Sequence, residues 1–349
     1  MFADMPSELS IGDAFIRLRS ILANTPVHLK IEAFTASGSI KAKTARHMID
    51  QFEARGARSR NTRLIESSSG NLGLALSMIA AERGYRFTCV SDPNLSPPTR
   101  KLMDVLGAEV VIVDQLDDNG GYLGTRIAYI RQRLREDPDL VWLNQYANPD
   151  NPQAHVRFTG PEIFDSFPRV DYLFVGAGTT GTLGGVSQYC RAHSPHTRII
   201  GVDSVGSVTF GTSAGRRYIA GLGTSSTPPI ADRGAMDVLE MIEEADTIRM
   251  CRTLAARGLL VGGSTGTVLC AVARWADRIA RDSTVVAISP DMGDRYIDTI
   301  YDDGWVEARF PGLLGQCQAL AKSPPAFWKE RDVHQPRVRS SQLSVVGAA

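Results

Sequence analysis

Short apolar runs alternate along this chain with longer stretches in which apolar residues recur at helical spacing. The short runs predict strands over residues 28–31, 63–66, 86–90, 109–113, 140–143, 172–175, 198–202 and 284–288. The longer stretches predict helices over residues 71–83, 98–106, 121–135, 181–191, 235–244 and 265–281. Because strands and helices alternate, the pattern predicts βαβ units and an α/β fold with a mostly parallel sheet.

Composition narrows the class of protein. The chain has 349 residues, 43% of them apolar, which is enough for one large or two medium-sized domains. Its 38 basic and 38 acidic residues balance, so nothing favours a nucleic acid or an anionic membrane as partner. The first residues lack the basic and apolar regions of a signal peptide, and no apolar run has transmembrane length. The five cysteines are scattered and form no C-x-x-C pair, which favours reduced thiols in a cytoplasmic protein without a metal site.

A glycine-rich loop, Gly176-Ala-Gly-Thr-Thr-Gly181, follows the predicted strand at 172–175. Its spacing, with Asp203 at the end of the next predicted strand, is typical of a dinucleotide-binding fingerprint. Dinucleotide loops usually have small apolar residues where this loop has three hydroxyls, on Thr179, Thr180 and Thr182. Hydroxyls and amides on one short loop suit a terminal phosphate, which has more oxygens to bind than a bridging pyrophosphate. The loop therefore predicts a phosphate site, with a nicotinamide dinucleotide as the alternative ligand.

Lysine is scarce in this chain, since only six of the 38 basic residues are lysines. Arginine cannot replace lysine where an amine has to lose its proton and act as a nucleophile. One of the six, Lys41, lies in a stretch of small residues, 35–43, that is suited to begin a helix. Lys41 is therefore a candidate nucleophile, and the alternative is a solvated lysine at a helix start.

Two further loops each lie between a predicted strand and a predicted helix. Residues 67–73 contain three serines followed by Gly-Asn, which suits a bound carboxylate, although an ordinary serine N-cap is the alternative. Residues 262–266 fit the G-x-S-x-G pattern of a hydrolase with Ser264 as its nucleophile. Such a hydrolase needs an aspartate and then a histidine downstream, and His334 is the only downstream histidine. The sequence therefore argues against a hydrolase.

A terminal phosphate, an available lysine amine and a neighbouring carboxylate site together describe pyridoxal phosphate holding an amino acid. Residues 29–41 resemble the Schiff-base segment of the cysteine synthase family, the fold type II pyridoxal-phosphate enzymes. Residues 67–73 resemble that family's substrate-carboxylate loop, and residues 178–182 resemble its phosphate cup. Residues 145–148, 155–163 and 290–296 also resemble family motifs, in the family's order. The resemblance covers about residues 11–305.

The resemblance implies a domain organisation. It implies two three-layer lobes with mostly parallel sheets, with pyridoxal 5'-phosphate in the cleft between them. Residues 1–36 and 146–312 would form the large lobe, and residues 37–145 a small mobile lobe. Residues 313–349 would be a flexible tail, because the pattern of elements ends near residue 310 and Pro and Ser follow. The family also implies a homodimer.

Matching positions imply roles for individual residues. Lys41 would form the Schiff base and move the substrate's α-proton as general base and acid. Asn71 would hydrogen-bond the ring hydroxyl oxygen, and Ser264 would face the pyridine nitrogen. The phosphate would be held by Gly178, Thr179, Thr180, Gly181 and Thr182. The amino-acid substrate would be bound by Ser67, Ser68, Ser69, Gly70 and Gln145.

Four segments resemble one branch of the family, at residues 120–127, 144–148, 203–211 and 261–266. The enzymes of that branch are β-replacing transferases that make a precursor of 2,3-diaminopropionate. They expel phosphate from O-phospho-L-serine to give an aminoacrylate, and then add the amine of L-glutamate. Arg217 would hold the leaving phosphate or the side chain of glutamate. The alternative for Arg216 and Arg217 is a solvated pair on a loop.

The chain departs from the family pattern beside the lysine. Thr35-Ala36 replaces the usual Asn-Pro, and Ala42-Lys43 replaces the usual Asp-Arg. These changes leave open a catalytically silent protein that binds pyridoxal phosphate. The nearest enzyme alternative is a cysteine synthase that adds sulfide to O-acetyl- or O-phospho-L-serine, and residues 203–211 and 262–266 argue against it.

Overall fold

The computed structural model describes residues 3–322, except residues 20, 23, 24, 57, 58 and 60. In that part of the chain, strands β1 to β10 are Phe15–Leu18, Val27–Ile31, Arg63–Ser67, Arg86–Ser91, Glu109–Ile112, Leu140–Trp142, Tyr172–Gly176, Arg198–Ser204, Val238–Ile242 and Val285–Ser289. Helices α1 to α11 are Lys41–Ala54, Asn71–Arg83, Pro97–Val105, Leu123–Glu136, Asp150–Ala154, Gly160–Ser166, Gly181–His193, Glu244–Ala255, Gly263–Arg274, Asp303–Arg309 and Leu313–Lys322. A π-helical turn, His155–Thr159, joins α5 to α6.

The strands form two sheets. The larger has the order β1-β2-β10-β7-β8-β9, and all of its neighbouring strands are parallel except the pair β1 and β2. Strand β10, in the middle of this sheet, is buried at all five positions, which explains why residues 285–288 are a continuous apolar run rather than an alternating one. The large sheet therefore has helices on both faces, as expected for parallel strands joined by helical crossovers.

The smaller sheet has the order β5-β4-β3-β6, and its strands are all parallel. It has an apolar core of its own, which includes Leu64, Leu76, Ile79 and Phe87. The chain enters this sheet after β2 and returns to the large sheet before β7. The predicted α/β fold with mostly parallel sheets is confirmed, whereas movement of the small lobe stays a prediction.

The predicted helix at 235–244 is wrong. Residues Val238–Ile242 form the edge strand β9, paired in parallel with β8, and α8 begins only at Glu244. The apolar residues of this segment fit a helical spacing as well as a strand. Pairing with β8 decides between the two, because it supplies hydrogen bonds that the local sequence does not reveal. Strand β1 was not predicted either, and it depends on its antiparallel partner β2 in the same way.

The first ten residues of the expected flexible tail, 313–322, are helical. Residues Leu313–Lys322 form α11, and Leu313 and Cys317 are buried in the apolar core against the large sheet. The remaining residues of the expected tail, 323–349, lie outside the described residues. Among the residues that the structure describes, no helix is long and apolar enough to cross a membrane.

Candidate active site

A cavity of about 270 Å³ lies where the carboxyl ends of β3, β7 and β10 meet. This is the edge at which parallel α/β sheets bind their ligands. All of the predicted site residues except Ser67 line the cavity: Lys41, Ser68, Ser69, Gly70, Asn71, Gln145, Gly178, Thr179, Thr180, Gly181, Thr182, Arg217 and Ser264. Residues that are up to 223 positions apart in the sequence thus face one space.

Lys41 is the first residue of α1, as its small-residue surroundings suggested. The backbone N–H of Ile40, just before it, donates to the carbonyl of Pro290 at 2.9 Å, so the helix start is fixed against the end of β10. Burial lowers the pKa of Lys41 to about 8. Since a lysine amine is a nucleophile only when it is neutral, this environment makes Lys41 far more reactive than a solvated lysine.

In the serine loop after β3, some residues stabilise the loop and others face the cavity. Ser67 is fully buried and does not line the cavity, but its carbonyl accepts a hydrogen bond from Gln145 Nε2 at 2.7 Å. Ser68 Oγ accepts from the backbone N–H of Gly73 at 2.9 Å, and so acts as a cap of α2. Ser69 and Gly70 line the cavity at the start of α2; the Ser69 hydroxyl is left to donate to a ligand, whereas the Gly70 N–H donates to Ser68 Oγ at 3.2 Å.

Glu66 supports this loop, and the sequence analysis missed it. Its carboxylate accepts from the backbone N–H groups of Ser67 at 2.8 Å and Gln145 at 3.2 Å, and from Trp142 Nε1 at 3.0 Å. Burial raises the pKa of Glu66 to about 7, although these hydrogen bonds oppose the shift. The buried carboxylate of Glu66 thus links Ser67 and Gln145, two residues of the predicted carboxylate site. Nothing in its sequence context, at the end of an apolar strand, indicates this function.

The glycine-rich loop after β7 forms a tight turn before α7. Thr180, the residue before α7, has a positive φ of 71°. A Cβ at Gly181 would lie 2.0 Å from Asn151 Oδ1, and one at Gly178 would lie 2.7 Å from the carbonyl oxygen of Gly221, so both positions require glycine. The Thr180 hydroxyl is buried without a hydrogen-bond partner. A buried hydroxyl without a partner is costly, and a ligand oxygen would satisfy it.

Asn71, the first residue of α2, is held at both ends of its amide. Its Nδ2 donates to Asp291 Oδ2 at 2.6 Å, and its Oδ1 accepts from Arg295. Asp291 is buried and also accepts from the hydroxyl of Tyr296 at 2.8 Å. Asn71 therefore has its orientation fixed by protein groups. Ser264, buried at the start of α9, lines the same cavity.

Two arginines bring positive charge to the cavity. The predicted Arg217 donates through Nη1 to the carbonyl of Leu222 at 2.9 Å, and its Nε is buried without a partner. Arg126 on α4, which the sequence analysis missed as a site residue, is only 6% exposed. Its Nη1 lies 3.3 Å from Asp92 Oδ2, but neither Nε nor Nη1 makes a hydrogen bond. Its signal in the sequence was its position within the family-like segment 120–127.

Lys43, which replaces the arginine usual in the family, forms buried ion pairs. Its Nζ lies 2.6 Å from Glu32 Oε2 and 2.5 Å from Glu162 Oε2, and Lys30 contacts the same two carboxylates at 3.1 and 2.8 Å. Although burial opposes it, the charges of Lys43 and Lys30 hold the pKa of Glu32 below its usual range. Removing any one of these four side chains would leave a buried charge without its partner. The cluster therefore fixes the first turn of α1.

Comparisons with known proteins agree with this geometry. The family model for pyridoxal-phosphate dependent enzymes matches residues 14–291. N-(2-amino-2-carboxyethyl)-L-glutamate synthase from Ralstonia nicotianae is 40% identical over 300 residues, which cover 85% of this chain and 88% of that protein.

Solved structures have the same fold. O-ureido-L-serine synthase is 30% identical with a TM-score of 0.78, over 88% of this chain and 99% of that chain. The O-acetylserine dependent cystathionine beta-synthase from Helicobacter pylori is 28% identical with a TM-score of 0.80, over 86% of this chain and all of that chain. The resemblance to the cysteine synthase family and the fold type II architecture are therefore confirmed, and the chain belongs to the pyridoxal-phosphate dependent enzymes.

Proposed function

We propose that this protein replaces the phosphate of O-phospho-L-serine by the amine of L-glutamate. The bond from Cβ to the phosphate oxygen breaks, and a bond from Cβ to the glutamate nitrogen forms while that nitrogen loses a proton. The products are N-(2-amino-2-carboxyethyl)-L-glutamate, a precursor of 2,3-diaminopropionate, and inorganic phosphate. The relative from Ralstonia nicotianae is named for the synthesis of this compound. The observation that carries the proposal is the pair of incompletely paired arginines in the cavity, Arg126 and Arg217.

The cavity residues fit pyridoxal 5'-phosphate. The buried, unpartnered hydroxyl of Thr180 and the close backbone approach at Gly178 and Gly181 suit a phosphate group. The amine of Lys41 suits the aldehyde, while Asn71 and Ser264 would hold the ring. When bound, the cofactor supplies an electron sink that allows a group on Cβ of the amino acid to leave.

The chain's own residues would bind the amino acid and move its proton. Ser69, Gly70 and Gln145 would surround the α-carboxylate, with the Ser69 hydroxyl at the start of α2 and the Gln145 side-chain amide beside it as donors. Lys41 would take the α-proton and later return it. A pKa of about 8 suits this exchange, because a group that titrates near the working pH can both accept and release a proton.

The two arginines favour anionic substrates. A buried guanidinium with unpaired N–H groups is costly in free energy unless an anion supplies the missing acceptors. O-phospho-L-serine brings a phosphate and L-glutamate a second carboxylate, whereas O-acetyl-L-serine and sulfide bring neither group. Arg126 and Arg217 would therefore select O-phospho-L-serine over O-acetyl-L-serine, and glutamate over sulfide.

The second substrate can be tested directly. The purified enzyme is mixed with O-phospho-L-serine and offered either L-glutamate or sulfide, with release of phosphate and the mass of the new amino acid as readouts. We expect product with glutamate, and at most slow product with sulfide. Glutarate, which lacks the amine, is the matched control and should give none. Product from sulfide without any from glutamate would instead make the protein a cysteine synthase.

Uptake of the cofactor should depend on pH through Lys41. The neutral amine is the reactive form, and a pKa of about 8 makes roughly 10% of it neutral at pH 7, about 300-fold more than for an ordinary lysine. We expect the rate at which apoprotein gains visible absorption with pyridoxal phosphate to rise up to about pH 8 and then level off. A rate that still rises tenfold per pH unit between pH 9 and 10 would be incompatible with this environment.

We also propose that the protein acts in the cytoplasm as a homodimer on these small molecules. All five cysteines are free and buried, which suits a reducing compartment. The homodimer is supported only by the resemblance to the family. Size-exclusion chromatography with light scattering tests the oligomeric state.

A further inference from the structure

His155 connects three elements around the candidate phosphate site. It is fully buried at the start of the π-helical turn, and its Nε2 lies 3.2 Å from Thr182 Oγ1 and 3.1 Å from Thr44 Oγ1. Its Nδ1 lies 3.0 Å from Thr159 Oγ1. Single π-helical turns within helices are rare and occur mostly at functional sites. None of the roles proposed above for the site residues requires these contacts of His155.

The two threonines at Nε2 belong to the two ends of the cofactor site. Thr182 is the last residue of the candidate phosphate cup and lies in the first turn of α7. Thr44 lies in α1, three residues after Lys41 and thus nearly one turn along the helix. One imidazole ring therefore joins the helix that presents the amine to the helix that would receive the phosphate.

The surroundings of His155 keep its ring neutral. Burial, and then the charges of Lys41, Lys43 and His47, hold the pKa of His155 well below its ordinary value. A neutral imidazole has one N–H donor and one acceptor nitrogen. If Nε2 accepted from Thr182, the hydroxyl hydrogen would be used up and an oxygen lone pair would face the phosphate. If Nε2 donates, its one hydrogen is shared between the oxygens of Thr182 and Thr44, the Thr182 hydroxyl hydrogen stays free for the anion, and Nδ1 accepts from Thr159.

We propose that His155 is a positioning residue for the phosphate, and that its Nε2–H donates to the Thr182 oxygen so that the Thr182 hydroxyl donates to the cofactor's phosphate. The proposal rests on the assignment of residues 178–182 to the phosphate and not on the identity of the second substrate. It parallels the carboxylates that fix the orientation of metal-binding histidines, since the outer group determines which way the inner group donates.

The test compares the affinity of the apoprotein for pyridoxal phosphate with its affinity for pyridoxal, which lacks the phosphate, by quenching of tryptophan fluorescence. We expect His155→Leu to raise the Kd of pyridoxal phosphate about 10- to 100-fold, the worth of a hydrogen bond to a charged group, and to leave that of pyridoxal nearly unchanged. His155→Gln, which retains a donor, should recover part of the loss. His193→Gln, at an exposed histidine that stacks on Tyr189, is the control and should change neither Kd.

A double-mutant cycle separates the proposal from the assignment on which it rests. Thr182→Val should weaken phosphate binding as much as His155→Leu, and the double variant should lose little more. If Thr182→Val has no effect, the phosphate cup is wrongly assigned and the proposal falls with it. If the two losses add, or if His155→Leu weakens both ligands equally, the cup stands and the positioning role is overturned.

A measurement on the unmodified holoenzyme covers the case in which the His155 variants do not fold. The ¹⁵N chemical shifts of a histidine-labelled sample identify the ring nitrogen that carries the hydrogen. We expect His155 to carry it on Nε2. A hydrogen on Nδ1, or on both nitrogens at neutral pH, would overturn the proposal.

Discussion

Replacing Lys41 with alanine should lower the rate of product formation more than a thousandfold. Loss of a general acid and base alone costs about 10²- to 10⁴-fold, and the covalent link to the cofactor is lost as well. The variant should also lack the visible absorption of the bound cofactor. Reduction with borohydride before mass spectrometry gives the clearest readout, because only a protein with a lysine–cofactor link gains the cofactor's mass.

The control for this prediction is Lys101→Ala, which removes a lysine from the exposed face of α3, outside the cavity. Its spectrum, its mass after reduction and its rate should match those of the unchanged protein. If the Lys41→Ala protein still gains the cofactor's mass, another of the six lysines is the nucleophile. Lys30 and Lys43 are then the ones to test, although both are held in buried ion pairs.

Arg126→Gln should produce the second largest loss of activity, and the size of the loss should depend on the substrate. We expect kcat/KM for O-phospho-L-serine to fall about 10²- to 10³-fold, because the leaving phosphate loses a charge-assisted contact in a buried site, worth about 3 to 4 kcal/mol. The value for O-acetyl-L-serine should change less than about threefold. The measurement is phosphate or acetate release with glutamate present at saturation.

The matched control is Arg100→Gln, at an exposed position on α3, which should leave both substrates unaffected. An equal fall for the two substrates would mean that Arg126 supports the structure of the small lobe through Asp92 rather than binding the phosphate. The substrate comparison and not Tm distinguishes these cases, because loss of the buried ion pair with Asp92 lowers Tm in either case.

The sequence predicted most of the fold because parallel strands that are buried on both faces have short, nearly continuous apolar sequences. Helix α2 begins and ends at the predicted residues, 71 and 83, since Gly84 takes a positive φ of 74° and ends it. Two of the failures lie where pairing with distant residues decides the conformation. Strand β9 fits a helical pattern and becomes a strand only beside β8, and β1 exists only beside β2.

By itself, the sequence determined the groups that we propose for the chemistry, because residue type and local spacing are sufficient to indicate them. A scarce lysine at a helix start and a threonine-rich glycine loop identify Lys41 and residues 178–182 without any distant contact. Only the tertiary structure decided which other residues belong to the site. Arg126 and His155 lie in family-like segments that do not single them out, and Glu66 lies in an ordinary apolar strand, so their importance depends on burial and on the presence or absence of partners. Burial and partners are properties of the packed chain, since they are set by residues up to 111 positions away in the sequence.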